Sequence, residues 1–156
     1  MVVGQLAPEL LAVDIKGEAF QLSKLRGKIV VLMFSQNNDY DEMYDSVRQL
    51  VGRYRQAPVR VVGVVGTNDT AALKAAFDRG ELNWTVLPEP INGPLYKDWG
   101  NEGYPSVPII GVDGTLHPAL TMSYYGAGGF DTMEVREKLD ALLQDVYEGK
   151  RSTDGK

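Results

Sequence analysis

Ile29-Val30-Val31-Leu32-Met33-Phe34 is apolar at every position and β-branched at its start. A surface helix or a half-buried strand would interleave polar residues at a period of 3.6 or 2. An unbroken apolar run of this length fits a strand covered on both faces, as at the centre of a parallel or mixed sheet. A second run, Val59 to Val65, repeats the signature with Arg60 as its interruption. Between the two, from Asp39 to about Tyr54, the period changes. Met43, Val47, Leu50, Val51 and Tyr54 fall at i, i+4, i+7, i+8 and i+11, one stripe of a helix. Buried strand, helix, buried strand is the unit of an α/β fold.

The other elements are arranged around this unit. Leu10 to Ile15, the turn at Lys16-Gly17-Glu18 and Ala19 to Leu22 predict a β-hairpin ahead of the first central strand. Ser23 is placed to cap a brief helical turn that stops at Gly27. After the second strand, Asp69 or Thr70 caps a helix through Leu73 and Phe77 that ends near Gly80. Trp84 to Leu87 reads as a short strand, and Leu95 to Trp99 as a helical turn or two. Val107 to Val112, the Asp113-Gly114 turn and Thr115 to His117 predict a second hairpin, closed by Pro118, which cannot donate to a ladder. Asp131 or Thr132 opens a last helix with Val135, Leu139, Leu142, Leu143 and Val146 on its apolar face and Gly149 as the expected stop. The pattern predicts one domain over residues 1–148, a three-layer α/β sandwich, with residues 149–156 as a disordered tail.

The chain contains no cysteine and a single histidine, His117. Disulfides, thiolate nucleophiles, thiolate-bound zinc, cysteine-ligated iron–sulfur clusters and two-histidine metal sites are therefore excluded within it. A formal charge of −5, with scattered Lys and Arg, opposes binding to a phosphate backbone, so nucleic acid is not an expected partner. No stretch reaches the roughly 18–20 apolar residues of a membrane-spanning helix. The N-terminus has no basic region followed by an apolar segment. No cofactor is expected, and no pattern of residues fixes an oligomeric state.

Gly4-Gln5-Leu6-Ala7-Pro8, Asp14-Ile15-Lys16-Gly17, Leu22 to Lys28 and Val30 to Phe34 together resemble the opening of a redoxin domain. The nearest group is the TlpA-like thiol–disulfide oxidoreductases of the thioredoxin fold. Tyr104-Pro105-Ser106-Val107-Pro108, followed by Ile109 to Val112 and Asp113-Gly114, is similar to that group's cis-proline strand and hairpin. Glu42-Met43 fits the start of the helix after its active-site loop. The resemblance extends from about Gly4 to Leu143. It implies a thioredoxin-like sandwich: a central mixed sheet, helices on both faces and an N-terminal β-hairpin extension. It also implies a cis Val107–Pro108 bond. Because such proteins are often exported or membrane-anchored in bacteria, it further implies a periplasmic or other extracytoplasmic address.

One departure decides the chemistry. The family carries Cys-x-x-Cys between the first central strand and the next helix, where this chain reads Ser35-Gln36-Asn37-Asn38-Asp39-Tyr40-Asp41-Glu42. Anchored on Phe34, the cysteine positions fall on Asp39 and Glu42; anchored on Glu42-Met43, they fall on Gln36 and Asp39. Neither register supplies sulfur. Thiol–disulfide exchange needs a thiolate to attack a disulfide sulfur, and peroxide reduction in this fold likewise needs a cysteine thiolate. Dithiol or peroxidatic catalysis is therefore not expected of the chain, unless a partner brings the thiols.

Three readings of the altered loop follow. Asp39-x-x-Glu42 has capping-box spacing, which would contribute about 1 kcal/mol of helix stability. Asn37, Asp39, Asp41 and Asp45 alternate oxygen ligands as a calcium loop does, but Glu42 and Arg48 stand where such a loop needs glycine and glutamate. In the third reading the loop (Gln36, Asn37, Asn38, Asp39, Tyr40 and Glu42) borders a groove at Val107, Pro108 and Tyr104 that takes an extended peptide or protein partner by strand pairing. Tyr40, Tyr104, Trp84 and Trp99 would offer aromatic area there, although lone tryptophans usually pack in cores. The function expected is thus a non-catalytic binding module, with an oxidoreductase-family protein and a carboxylate cation binder as alternatives. His117 near Asp113 lacks a nucleophile elbow and reads as a surface histidine. Gly126-Ala127-Gly128-Gly129 lacks the companions of a phosphate loop.

Overall fold

The structure is a computed structural model, and it describes residues 2–36, 41–99, 106–121 and 133–154. An N-terminal antiparallel hairpin, β1 (Leu11–Val13) and β2 (Ala19–Gln21), leads through a 3-10 turn at Leu22–Leu25 into β3 (Ile29–Gln36). There follow α1 (Asp41–Arg53), β4 (Val59–Gly66), α2 (Thr70–Asp78), β5 (Thr85–Glu89), α3 (Pro94–Asp98), β6 (Ser106–Ile110), β7 (Leu116–Thr121) and α4 (Met133–Asp154). The main sheet has the order β5-β4-β3-β6-β7. β3, β4 and β5 are parallel, whereas β6 runs against β3 and β7 against β6. No described helix is long and apolar enough to cross a membrane.

The unbroken apolar run is explained by the two cores it serves. Ile29, Val31 and Met33 project into one, with Val47 and Leu50 of α1, Leu73 of α2 and Val135 and Leu139 of α4. Val30, Leu32 and Phe34 alternate into the other, with Tyr96 of α3, Trp99, Leu10 and Leu22. Each of these six β3 side chains is at least 98% buried. At about 25 cal/mol per Å² of apolar surface, each such side chain contributes roughly 1.5–3 kcal/mol. That makes β3 the strand least able to tolerate a polar substitution.

Both margins of the sheet carry chain from the N-terminal segment. On the β5 side, the Ile15 N–H donates to the Val86 carbonyl at 2.8 Å. On the β7 side, Gly4 N–H donates to Leu116 O, Leu116 N–H to Gln5 O, and Ala7 N–H to Gly114 O, at 2.8–2.9 Å.

Four local expectations are corrected. Ser23 does not cap the 3-10 turn but lies inside it; the Glu9 carboxylate accepts the Ser23 N–H at 3.0 Å instead. Pro118 does not close β7, which runs on to Thr121. The Val107–Pro108 bond is trans, not cis, and no cis bond occurs among the described residues. Trans is the lower isomer by about 0.5–1 kcal/mol. The ladder here absorbs proline by slipping: pairing passes from Val107↔Leu120 to Ile109↔His117, so Pro118 and Ala119 together face Pro108. Finally, α4 continues past Gly149 to Asp154, into the segment expected as a tail. Glycine stops a helix by taking a left-handed φ, which Gly149 does not; inside a helix it costs only about 1 kcal/mol relative to alanine.

Candidate functional site

Parallel β3 and β4 end together, with Gln36 beside Gly66. Because β6 runs against β3, its first residue, Ser106, lies at that same end. α1 begins there too, so a strand end, a helix start and a strand beginning converge where open α/β sheets gather their ligands. Gln36 is the last residue of β3, Glu42 sits in the first turn of α1, and Val107 is fully buried with Pro108 after it. Asn37, Asn38, Asp39, Tyr40 and Tyr104 lie outside the described residues, and with them the capping box, most of the calcium-loop reading and the glycine-rich stretch.

The β3–β6 ladder is short. Among the described residues it consists of Val30↔Ile110 and Val31↔Ile109, and it stops just before Pro108, which has no N–H to give. On its other edge β6 pairs with β7 further along, as far as Val107↔Leu120 and Ser106↔Thr121.

What holds the end of β3 in place is aromatic. Phe34 meets Tyr96 edge-on, with centroids 6.3 Å apart, and Trp99 at 6.1 Å. α3, which carries Tyr96, is in turn held by Glu89: its carboxylate oxygens accept the Leu95 and Tyr96 N–H groups, each at 2.9 Å. Sequence reasoning missed Glu89, reading Pro88-Glu89-Pro90 as loop, whereas β5 runs through Pro88 to Glu89 at the sheet edge. Six residues separate the carboxylate from the amide it caps, and no local spacing rule announces such a contact. At the end of β4, the Thr67 hydroxyl accepts the Asp69 N–H at 2.9 Å, and Asp69 caps α2 by accepting the Ala72 N–H at 3.0 Å.

The remaining candidates sort plainly. Trp84 and Trp99 are buried, so neither offers an exposed ring to the groove at the end of β3. Asp45 pairs with Arg48, whose guanidinium also donates to the Glu81 carbonyl; that ties α1 to the loop before β5. No group of three potential metal ligands occurs among the described residues. His117 is half-buried rather than a plain surface residue. Burial and then the charge of Lys138 hold its pKa below the usual value, against the pull of Asp113 and Asp145. Asp113 itself is committed to Thr115, accepting from its hydroxyl at 2.6 Å and its N–H at 3.0 Å, which keeps its carboxyl acidic. Nothing in this cluster makes a nucleophile.

Residues 3–118 match the AhpC/TSA family. Chloroplastic peroxiredoxin Q of Triticum aestivum is 30% identical over 100 residues, which is 62% of this chain and 45% of that protein, so the match spans under half of the relative. A thiol–disulfide oxidoreductase from Bacteroides fragilis superposes with a TM-score of 0.72 at 17% identity, covering 89% of this chain and all of that one. A secreted Mycobacterium tuberculosis disulfide oxidoreductase homologous to E. coli DsbE gives 0.66 at 21% identity, covering 85% and 96%. At such identities the superpositions speak for the fold, and the family match takes in every element that converges on the site apart from the end of β7. A thioredoxin-like sheet, its hairpin extension and a family signature along most of its length make this chain a member of the AhpC/TSA family, one in which no residue can supply a thiolate.

Proposed function

We propose that the chain is a non-catalytic binding module, taking an extended peptide or protein segment at the end of β3 beside Val107 and Pro108. The observation that carries this reading is the pairing of a retained redoxin scaffold with a complete lack of cysteine. The early stop of the β3–β6 ladder supports it, because an extended segment docks by main-chain pairing and needs no reactive group.

The test has two arms. In an insulin-reduction assay the isolated chain gives turnover at the buffer rate; turnover above that rate overturns the reading. In an NMR titration with carboxymethylated insulin B chain, an unfolded peptide free of thiols, saturable amide shifts gather at Ser106, Val107 and the end of β3. Shifts elsewhere, or none, refute the groove.

A further inference from the structure

At the opposite pole, where β3 and β4 begin, a second cleft opens. β4 runs through Val59–Val61 before β5 comes alongside at Val62↔Thr85. The gap is an open cleft of about 500 Å³, within the range of about 300–1,000 Å³ for small-molecule sites. Its floor is apolar, with Val51 of α1, Phe77 of α2 and Trp84. Its rim is charged, with Lys16, Arg55 and Arg60 against Asp14 and Glu18.

The acids are already engaged. Asp14 Oδ1 accepts the Lys16 and Glu18 N–H groups, each at 2.9 Å, and Glu18 faces the Lys16 ammonium at 3.9 Å. Arg55 and Arg60 have no acidic partner among the described residues. Two guanidiniums without an acidic partner, Arg55 just after α1 and Arg60 on β4, line one cleft in a chain of charge −5. The C-termini of α1 and α2 point toward the same pole, and their partial negative charge opposes an anion. Each amounts to about half a charge that fades within a turn, so the two full charges decide the sign.

We propose that this cleft binds a small amphipathic carboxylate, its apolar body on Val51, Phe77 and Trp84 and its head group on Arg55 and Arg60. A guanidinium presents paired donors that match a carboxylate, and an apolar wall adds area without demanding partners.

Octanoate is the probe, titrated calorimetrically into the whole chain, with octanol and octylamine as neutral and cationic controls. Octanoate binds saturably, at one per chain, and more tightly than either control. R55Q/R60Q, at two exposed positions, keeps the wild-type melting temperature and weakens octanoate by roughly tenfold. K97Q, at an exposed position on α3, which packs on the opposite face of the sheet, changes nothing. In a W99F background the Trp84 emission shifts along the same saturation curve. The proposal is overturned if octanol or octylamine binds as tightly, if octanoate fails to saturate, if R55Q/R60Q retains full affinity, or if heat saturates while Trp84 emission stays fixed.

Discussion

Gly63 lies at the middle of β4, and the Trp84 indole occupies the space a side chain would need. A Cβ there would stand 2.7 Å from Nε1 and 3.2 Å from Cδ1. The ring cannot swing aside cheaply, being 7% exposed and packed edge-on against Tyr44 with centroids 5.8 Å apart. Overpacking of this kind costs about 1–3 kcal/mol. Removing a strand glycine returns about 0.5–1 kcal/mol through the unfolded chain. Gly63→Ala should therefore destabilise by a net of about 1–2 kcal/mol. For a chain of this size each kcal/mol lowers Tm by about 2–4 °C, so the melt should fall by about 2–8 °C. Urea and thermal unfolding followed by circular dichroism measure it directly. Trp84→Phe supplies the control, since a smaller ring leaves room for the methyl group. In that background Gly63→Ala should cost nearly nothing, giving a coupling of about 1 kcal/mol or more in the double-mutant cycle. If Gly63→Ala matched or exceeded wild-type stability, or cost the same with phenylalanine at 84, the steric argument would be wrong.

Three further outcomes follow from contacts around the sheet. Glu89→Ala strips two amide partners from the start of α3 and should cost about 1–2 kcal/mol in urea unfolding; an unchanged midpoint would mean that water caps α3 equally well. Hydrogen bonds from Ser23, its side chain first and its N–H second, hold the Glu9 carboxyl at about 2 against an ordinary 4.5. The unfolded chain thus takes up that proton first, and stability present above pH 4.5 drains away toward pH 2; Glu9→Gln should flatten that part of the Tm profile, and an identical profile would dismiss the contact. Burial depresses the His117 pKa from 6.5, so here too the unfolded state binds the proton more readily, and stability is lost as pH falls below 6.5. His117→Gln should remove the loss, which a melt series from pH 8 to 5 detects.

The architecture was readable because apolar periodicity is local. Ile29 to Phe34 declares burial on both faces without knowledge of any partner, and the stripe of Val47, Leu50 and Val51 gives α1 its face. Asp69, one residue ahead of its helix, was legible as a cap for the same reason. What escaped depends on contacts across sequence. Glu9 capping the turn at Ser23 and Glu89 capping α3 both involve a carboxylate displaced by several residues from the amide it serves. The trans bond at Pro108 and the slip in the β6–β7 register beside it are features that only the paired strands reveal. At the site itself, the missing sulfur was plain from composition, whereas the short β3–β6 ladder could be found only in three dimensions.

The N-terminal segment that runs along both margins of the sheet has a consequence for traffic. With Gly4 to Ala7 fastened along the start of β7 and Ile15 fastened to β5, lateral growth of the sheet by a foreign strand is obstructed on each flank. Pro118 withholds a donor just beyond the stretch that Gly4 to Ala7 cover. Both covered margins guard the sheet against seeding its own aggregation, and a peptide that docks as proposed would have the strand tips as its way in.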